Sequence, residues 1–442
     1  MTAAGIHVGV VPYLGREAGG IYHYSLTALE ALHGYGNDPR RARVTILTEA
    51  AERDEVAPYL DPSWAWSPVA PTTRRQRLRR AVGRLVGEGP HRDAWRALRR
   101  AMTGHGRTPT HPRGRGSRVD LTRWYRDAGL QMMYYPTSYP PLAAAFEVDV
   151  PYVLTIHDLE HRRYPDLPEF LGRDGWDEVE YWHREGARFA TLIVVDSEVG
   201  RQDVMRHYGP HGAREDRIRV LPYIPPPAFR TPVNGDQRRR ARADYGLPDR
   251  YLFYPAQFWS HKNHVRIVEA VAAVRARHGI DVAVVFCGSR DGPDRQPTHR
   301  EVVARARALG VGDRVIDLGF VPNDVLPGLY AGAVALVMPT LFGPSNLPIL
   351  EAWAAGCPVI TSNIRGVVEQ VAGAGILVDP QSVDDIAEAI RKVWSDDRLG
   401  AELADAGRRR LALHSVADFR TRLHAILDEA AMLVRDGGRL RR

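Results

Sequence analysis

Apolar and polar positions along the chain alternate between short continuous apolar runs and stretches with helical spacing. IHVGVVPY (6–13) is strand-like and leads through a glycine-containing loop into the helical pattern IYHYSLTALEAL (21–32). RVTILT (43–48), QMMYYP (131–136), YVLTIHD (152–158), TLIVVDS (191–197) and RIRVLP (217–222) continue the strand series. YIPPPAFRTPVNGDQRRR (223–240) is rich in proline and polar residues and reads as a linker. The pattern then restarts with YLFYPA (251–256), a helix over 265–278, DVAVVFCG (281–288), a helix, RVIDLG (314–319) and a short helix. VALVMPT (334–340), a helix near 348–355, CPVITS (357–362) and GILVD (375–379) follow, and the chain from 383 onward reads as helical. Continuous apolar strands alternating with helices imply parallel sheets covered on both faces. Two such halves predict an α/β protein of two doubly wound domains facing a central cleft. The boundaries fall at 1–230 and 241–415, with a C-terminal helix and basic tail, 416–442, packing back on the first domain. Ligands in such sheets bind beyond the carboxyl ends of the strands, so the cleft is the expected site.

Composition narrows this picture. A chain of 442 residues exceeds one ordinary core and suits two domains of ~200 residues. No run of 18 apolar residues occurs, so no transmembrane helix is expected. The start, MTAAGIHVGVVPYLGREAGG, lacks a basic stretch followed by a long apolar block, and no signal peptide is expected. Two cysteines, Cys287 and Cys357, are too few for a disulfide framework or a cysteine metal site, and a reducing cytoplasm is the expected location. The net charge of +7 is concentrated: residues 74–118 hold fourteen arginines against Glu88 and Asp93. A basic balance confined to one segment argues against a nucleic-acid-binding fold. Two readings of the segment stay open. One is a solvated helical hairpin; the other is attraction to an anionic acceptor or phospholipid surface, which would bring the protein to the inner face of the membrane.

Among the 60 basic residues only Lys262 and Lys392 are lysines. Lys262 lies in 256-AQFWSHKNH-264, after an apolar strand and before a helix, with Gln257 and Asn263 in the same loop. A lysine there is at the wrong end of the helix dipole for a cation, so it suits a phosphate, to which a compact ammonium donates. The second candidate is 341-LFGPSNLPILEAWAAGCPVI-360, a strand feeding Gly343, Ser345, Asn346 and Leu347 into a helix with Pro348 in its first turn. Free amides at such a helix start bind anions, and Glu351, about one turn in, reaches ligand hydroxyls. The plainer reading of Glu351 is electrostatic support of the helix start.

HKNH with FGPSNLPILEAWAAGCPVITS resembles the C-terminal domain of glycosyltransferase family 4, retaining enzymes of the GT-B fold. AGGIYHYSLTALEAL, TIHDLEHRRYPDLPEF and VVDSEVGRQDV resemble that family's N-terminal domain, and the likeness covers about 6–379, apart from the basic segment. The resemblance implies that Lys262 binds the donor's diphosphate and stabilises the leaving group. It implies that Glu351 holds ribose hydroxyls, as the second glutamate of an E-x7-E motif, and that His157 lines the sugar pocket. Gly19 and Gly20 resemble the glycine loop at the cleft, and Gly288 lies at the end of a donor-domain strand. Two departures stand out: the family's arginine five positions before the lysine is Gln257, and the first glutamate of the motif is Gly343. On the acceptor side Tyr22, Tyr135, Asp158 and Arg162 are the weaker candidates, with the aromatic stretch YYPTSYPP (134–141) along the approach.

The implied activity is hexosyl-type transfer from a nucleoside-diphosphate sugar, UDP-linked first and GDP-linked next. It would proceed with retention and build a glycan, glycolipid or natural-product glycoside. No Asp-x-Asp sequence occurs, so neither a metal clamp nor a resident cofactor is expected. Two other readings stay open: a GT-B sugar-nucleotide epimerase or phosphorylase, and a non-catalytic nucleotide-sugar-binding protein.

Overall fold

The computed structural model describes residues 5–15, 19–38, 40–48, 50–68, 125, 127–138, 150–167, 173–292 and 294–436. The arginine-rich segment, most of the last four residues of YYPTSYPP and the basic tail lie outside the described residues.

The first domain is built on a seven-stranded sheet. Its strands are β1 (Ile6–Val10), β2 (Ala42–Thr48), β3 (Ala65–Pro68), β4 (Met132–Tyr135), β5 (Tyr152–Ile156), β6 (Leu192–Val195) and β7 (Ile218–Val220). Their order is β3-β2-β1-β4-β5-β6-β7 and every pairing is parallel. Helices α1 (Gly20–Ala31), α2 (Arg53–Val56), α3 (Glu160–Arg163), α4 (Arg173–Phe189) and α5 (Glu198–Tyr208) connect them. Strands β4, β5 and β6 are buried along their whole length, which is why they read as unbroken apolar runs. Strand β3 escaped the pattern because it is an edge strand with exposed ends and no apolar run.

The second domain has six parallel strands: β8 (Leu252–Pro255), β9 (Val284–Cys287), β10 (Val315–Asp317), β11 (Ala335–Met338), β12 (Val359–Ser362) and β13 (Ile376–Val378). The order is β10-β9-β8-β11-β12-β13, so the chain reverses direction of winding between β8 and β11. Loops leaving strands at such a switch point diverge and leave a crevice. The loops that carry Lys262 and Ser345 leave these two strands. The covering helices are α6 (Gly235–Asp244), α7 (His264–His278), α8 (Gln296–Ala308), α9 (Leu326–Gly332), α10 (Leu347–Ala354), α11 (Val367–Val371), α12 (Val383–Ser395) and α13 (Asp397–Leu411), and α14 (Val416–Arg435) follows them in the chain.

The expected linker does run between the two sheets, but both its halves are ordered. Its proline-rich part is packed, with Ile224 and Phe229 buried and Arg230 ion-paired with Glu30 of α1. Its polar part is helix α6, started by a capping box in which Gln237 N–H donates to Asn234 Oδ1 (2.9 Å) and Asn234 N–H to Gln237 Oε1 (3.0 Å). Helix α14 lies on the first domain. Asp428 accepts from Tyr35 Oη (3.1 Å) and Arg41 Nη2 (2.7 Å), and Arg219 Nε donates to Glu429 (2.9 Å). Among the described residues no helix is long and apolar enough to cross a membrane.

Candidate active site

After β8 the chain makes a 3-10 turn, Ser260–Lys262, closed by Lys262 N–H donating to Trp259 O (3.1 Å). Asn263 then takes a left-handed conformation (φ 64°) before α7. The flanking histidines serve packing. His261 stacks on Phe342 with ring centroids 4.0 Å apart, and Phe342 stacks on Tyr164 of the first domain at 5.8 Å. His264 is fully buried against Phe258 (4.5 Å), and burial pushes its pKa down to about 3, so it stays neutral. Leu341 N–H donates to His261 O (2.8 Å), which ties the turn carrying Lys262 to the loop entering α10. Lys262 itself is half-buried beside that junction.

In the α10 loop, Gly343 has φ +130°, and a Cβ there would lie 2.8 Å from Asn346 Oδ1. The backbone at position 343 therefore favours glycine over the glutamate that the resemblance leads one to expect. Three other candidates are committed to protein partners. Ser345 Oγ donates to Asp196 of the first domain. Asn346 N–H donates to Gln370 Oε1 (2.8 Å). The side-chain amide of Asn263 donates to Pro339 O (2.8 Å) and Pro380 O (2.7 Å), so it braces the loop. Gly288, with φ +148°, is required because a Cβ would lie 2.5 Å from Ala256 O, a backbone approach at the ends of β8 and β9. Leu347 reaches across to Gly20, 3.8 Å from where a Cβ would stand, and Gly19 faces Gln257 Nε2 at 3.3 Å in the same sense.

Glu351 is buried one turn into α10, where Tyr330 Oη donates to its Oε2 (2.7 Å). Burial raises its pKa to about 7 against the opposing Tyr330 bond. Its carboxyl is thus poised between charge states near neutral pH.

On the first domain, His157 Nε2 lies 3.0 Å from Pro136 O and Nδ1 lies 2.6 Å from Tyr223 Oη. A carbonyl only accepts, so Nε2 carries the proton and Nδ1 accepts from Tyr223. Burial lowers this histidine's pKa to about 4, leaving a neutral ring whose nitrogens are both engaged. Asp158 accepts from Glu160 N–H (3.2 Å) at the start of α3. Three other acceptor-side candidates have protein surroundings. Tyr22 and Tyr135 are buried in the core, Tyr135 edge-on to Tyr152, because their apolar rings fill the space beside β4 and α1. Arg162 forms a bidentate pair with Glu180, whose pKa it helps hold near 2, and Glu180 also takes bonds from His161 and Tyr208.

The structure also assembles residues the sequence did not single out. Asp196, buried, has its pKa raised to about 7 by burial, opposed by Ser345 and Ser197. Arg365 from the second domain donates to Asp203 and to Gln202 (2.8 Å) of α5. Glu160, 7% exposed, receives the Gly343 N–H, while its Oε2 has no hydrogen-bond partner; burial first and Asp158 second raise its pKa to about 9. Arg295 Nη1 donates to Oε1 of the sequence candidate Gln257 (2.9 Å), which also accepts from Trp259 Nε1 (2.9 Å). The fragments VVDSEVGRQDV and HDLE carried part of this signal, since they bring their carboxyls to the loop side of β5 and β6. Among the described residues no group of three His, Cys, Asp or Glu side chains is arranged to hold a metal.

Comparison with known proteins finds a family match within the second half of the chain. Residues 237–410 match the family described as Glycosyl transferases group 1. The alpha-D-kanosaminyltransferase of Streptomyces kanamyceticus is 27% identical over 271 residues, which is 60% of this chain and 67% of that protein. The O-antigen chain mannosyltransferase B of Escherichia coli is 44% identical over 250 residues, 55% of this chain and 61% of that one. Among solved structures, the sucrose-phosphate synthase of Thermosynechococcus elongatus superposes with a TM-score of 0.68 at 19% identity, covering 96% of this chain and 98% of that one. HepE of Anabaena in complex with UDP-glucose superposes with a TM-score of 0.67 at 16% identity, covering 96% and 99%. Residues 237–410 are accordingly a glycosyl transferases group 1 domain, set in a two-domain architecture of the GT-B type.

Proposed function

We propose that the protein is a retaining, metal-independent glycosyltransferase that moves a sugar from a nucleoside-diphosphate sugar to an acceptor hydroxyl. The observation that carries this reading is the junction between the Lys262 turn and the α10 loop. The His261–Phe342 stack at 4.0 Å and the Leu341–His261 bond at 2.8 Å fix the lone lysine of the domain's cleft edge beside a helix start. One turn further in stands a carboxyl, Glu351, suited to hydroxyls. Diphosphate against Lys262 and ribose against Glu351 is the arrangement these groups suit chemically. As the bond from the anomeric carbon to the phosphate oxygen breaks, negative charge grows on the diphosphate, where Lys262 stabilises it. The acceptor oxygen attacks from the face the diphosphate leaves, and a phosphate oxygen takes its proton. In this reading the charge is supplied by the chain's own cations.

A UDP-sugar is the first choice of donor and a GDP-sugar the second, a preference supported by the fold shared with HepE in complex with UDP-glucose. The acceptor belongs to glycan, glycolipid or natural-product glycoside synthesis, and the arginine-rich segment favours an anionic or lipid-linked one. A thermal-shift screen of UDP, GDP, ADP and dTDP with their sugars tests the reading. The matching nucleotide stabilises only the folded state and raises the midpoint by about 2.7 kcal/mol worth of stability at a hundredfold excess over Kd. No shift with any of the four would refute it.

A further inference from the structure

We infer that Arg295 is a second cation of the diphosphate site, supplying the charge that Gln257 does not carry. The inference rests on the reading of the cleft as a nucleotide-sugar site. Arg295 immediately precedes α8, on the loop that leaves β9, next to the loop that leaves β8. Its guanidinium is pinned in place: Nε donates to Asp291 O (2.6 Å), Nη1 donates to Gln257 Oε1 (2.9 Å), and Cζ sits 5.1 Å from the centroid of the Trp259 ring.

All of these partners are neutral. No carboxylate among the described residues pairs with Arg295, whereas Arg290 on the same loop is ion-paired with Asp317 at 2.8 Å. A half-buried guanidinium held on a carbonyl, an amide oxygen and an indole keeps its full charge for an external anion. Gln257 fixes where that charge faces. Because Oε1 accepts from both Trp259 and Arg295, Nε2 must turn to Gly19 on the opposite domain, and it lies 3.3 Å from where a Cβ would stand. The guanidinium is therefore anchored one side chain from the cleft, on the run that continues through Trp259 to Lys262. Two cations on adjacent strand ends fit a diphosphate better than a single phosphate.

The test is calorimetric titration of wild type, Arg295→Ala and Arg295→Lys with UDP, GDP, ADP and dTDP, each beside its monophosphate. For the nucleotide that wild type binds, Arg295→Ala is expected to weaken the diphosphate about 10–100-fold, the loss of one charge-assisted contact, and the monophosphate no more than about threefold. Arg295→Lys should fall between, because a single ammonium nitrogen keeps the charge but lacks the planar fork whose Nε and Nη1 make the two anchoring bonds. Diphosphate binding by Arg295→Ala as tight as wild type, or equal weakening of both nucleotides, would overturn the inference while leaving the functional reading in place. Wild type binding none of the four would overturn that reading, and the inference with it.

Discussion

Replacing Glu160 by glutamine should flatten the pH dependence of stability in one defined window. Glu160 is 7% exposed at the seam between the domains, and its pKa is raised from 4.5 to about 9 by burial and by Asp158. The unfolded chain releases this proton near pH 4.5, whereas the folded protein keeps it to about pH 9. The folded state thus binds the proton more tightly, and its stability falls as pH rises between those values. Other groups crowd the acid side. Neutral His157 and His264, with pKa values near 4 and 3, add stability up to about pH 6.5, while Asp196 and Glu351 remove it up to about pH 7. On the alkaline side the buried thiols of Cys287 and Cys357, both raised above the ordinary 9.0, begin to contribute. Between about pH 7 and about pH 8.5 Glu160 dominates, at ~1.4 kcal/mol per pH step, for a loss of ~2 kcal/mol. Urea unfolding followed by tryptophan fluorescence at both ends of that window measures it. Wild type should lose this stability and Glu160→Gln should lose less than half as much. Parallel lines for the two proteins would show that Glu160 is already ionised in the folded state.

Two further predictions separate structural from functional candidates. Arg162→Ala leaves buried Glu180 without its bidentate partner and should destabilise the first domain by roughly 3–5 kcal/mol in urea, with turnover per folded molecule unchanged. A loss of turnover without a loss of stability would restore Arg162 to the acceptor side. Gly343→Glu places a Cβ 2.8 Å from Asn346 Oδ1 at φ +130° and should weaken nucleotide-sugar binding in calorimetry. Tighter binding would contradict the argument that this loop disfavours a side chain.

The sheets were legible because their central strands are buried on both faces and so leave unbroken apolar runs. Lys262 was legible for a different reason: its rarity among arginines drew attention to a loop at the switch point. Helix α6 was obscured because prolines and polar residues around 223–240 have the composition of a linker, although the Asn234-x-x-Gln237 cap was present in the letters. Arg162 and Tyr135 could not be sorted from sequence. Whether a guanidinium faces ligand or Glu180, eighteen positions away, depends on how α3 and α4 pack. Arg295 was hidden in the same way, as one arginine among many, until the fold placed it on Gln257. The departures at positions 257 and 343 were visible at once, but their meaning was not. At 257 an arginine from the next loop stands alongside, and at 343 the backbone takes a φ of +130° that strains any side chain.

The most direct test of the account is steady-state sugar transfer, or donor hydrolysis without acceptor, by wild type and Lys262→Ala at saturating nucleotide sugar. Removing one preorganised cation from the leaving group is predicted to lower kcat by ~10²–10³, with the urea midpoint unchanged. An undiminished kcat at saturating donor would contradict the claim that Lys262 stabilises the departing diphosphate.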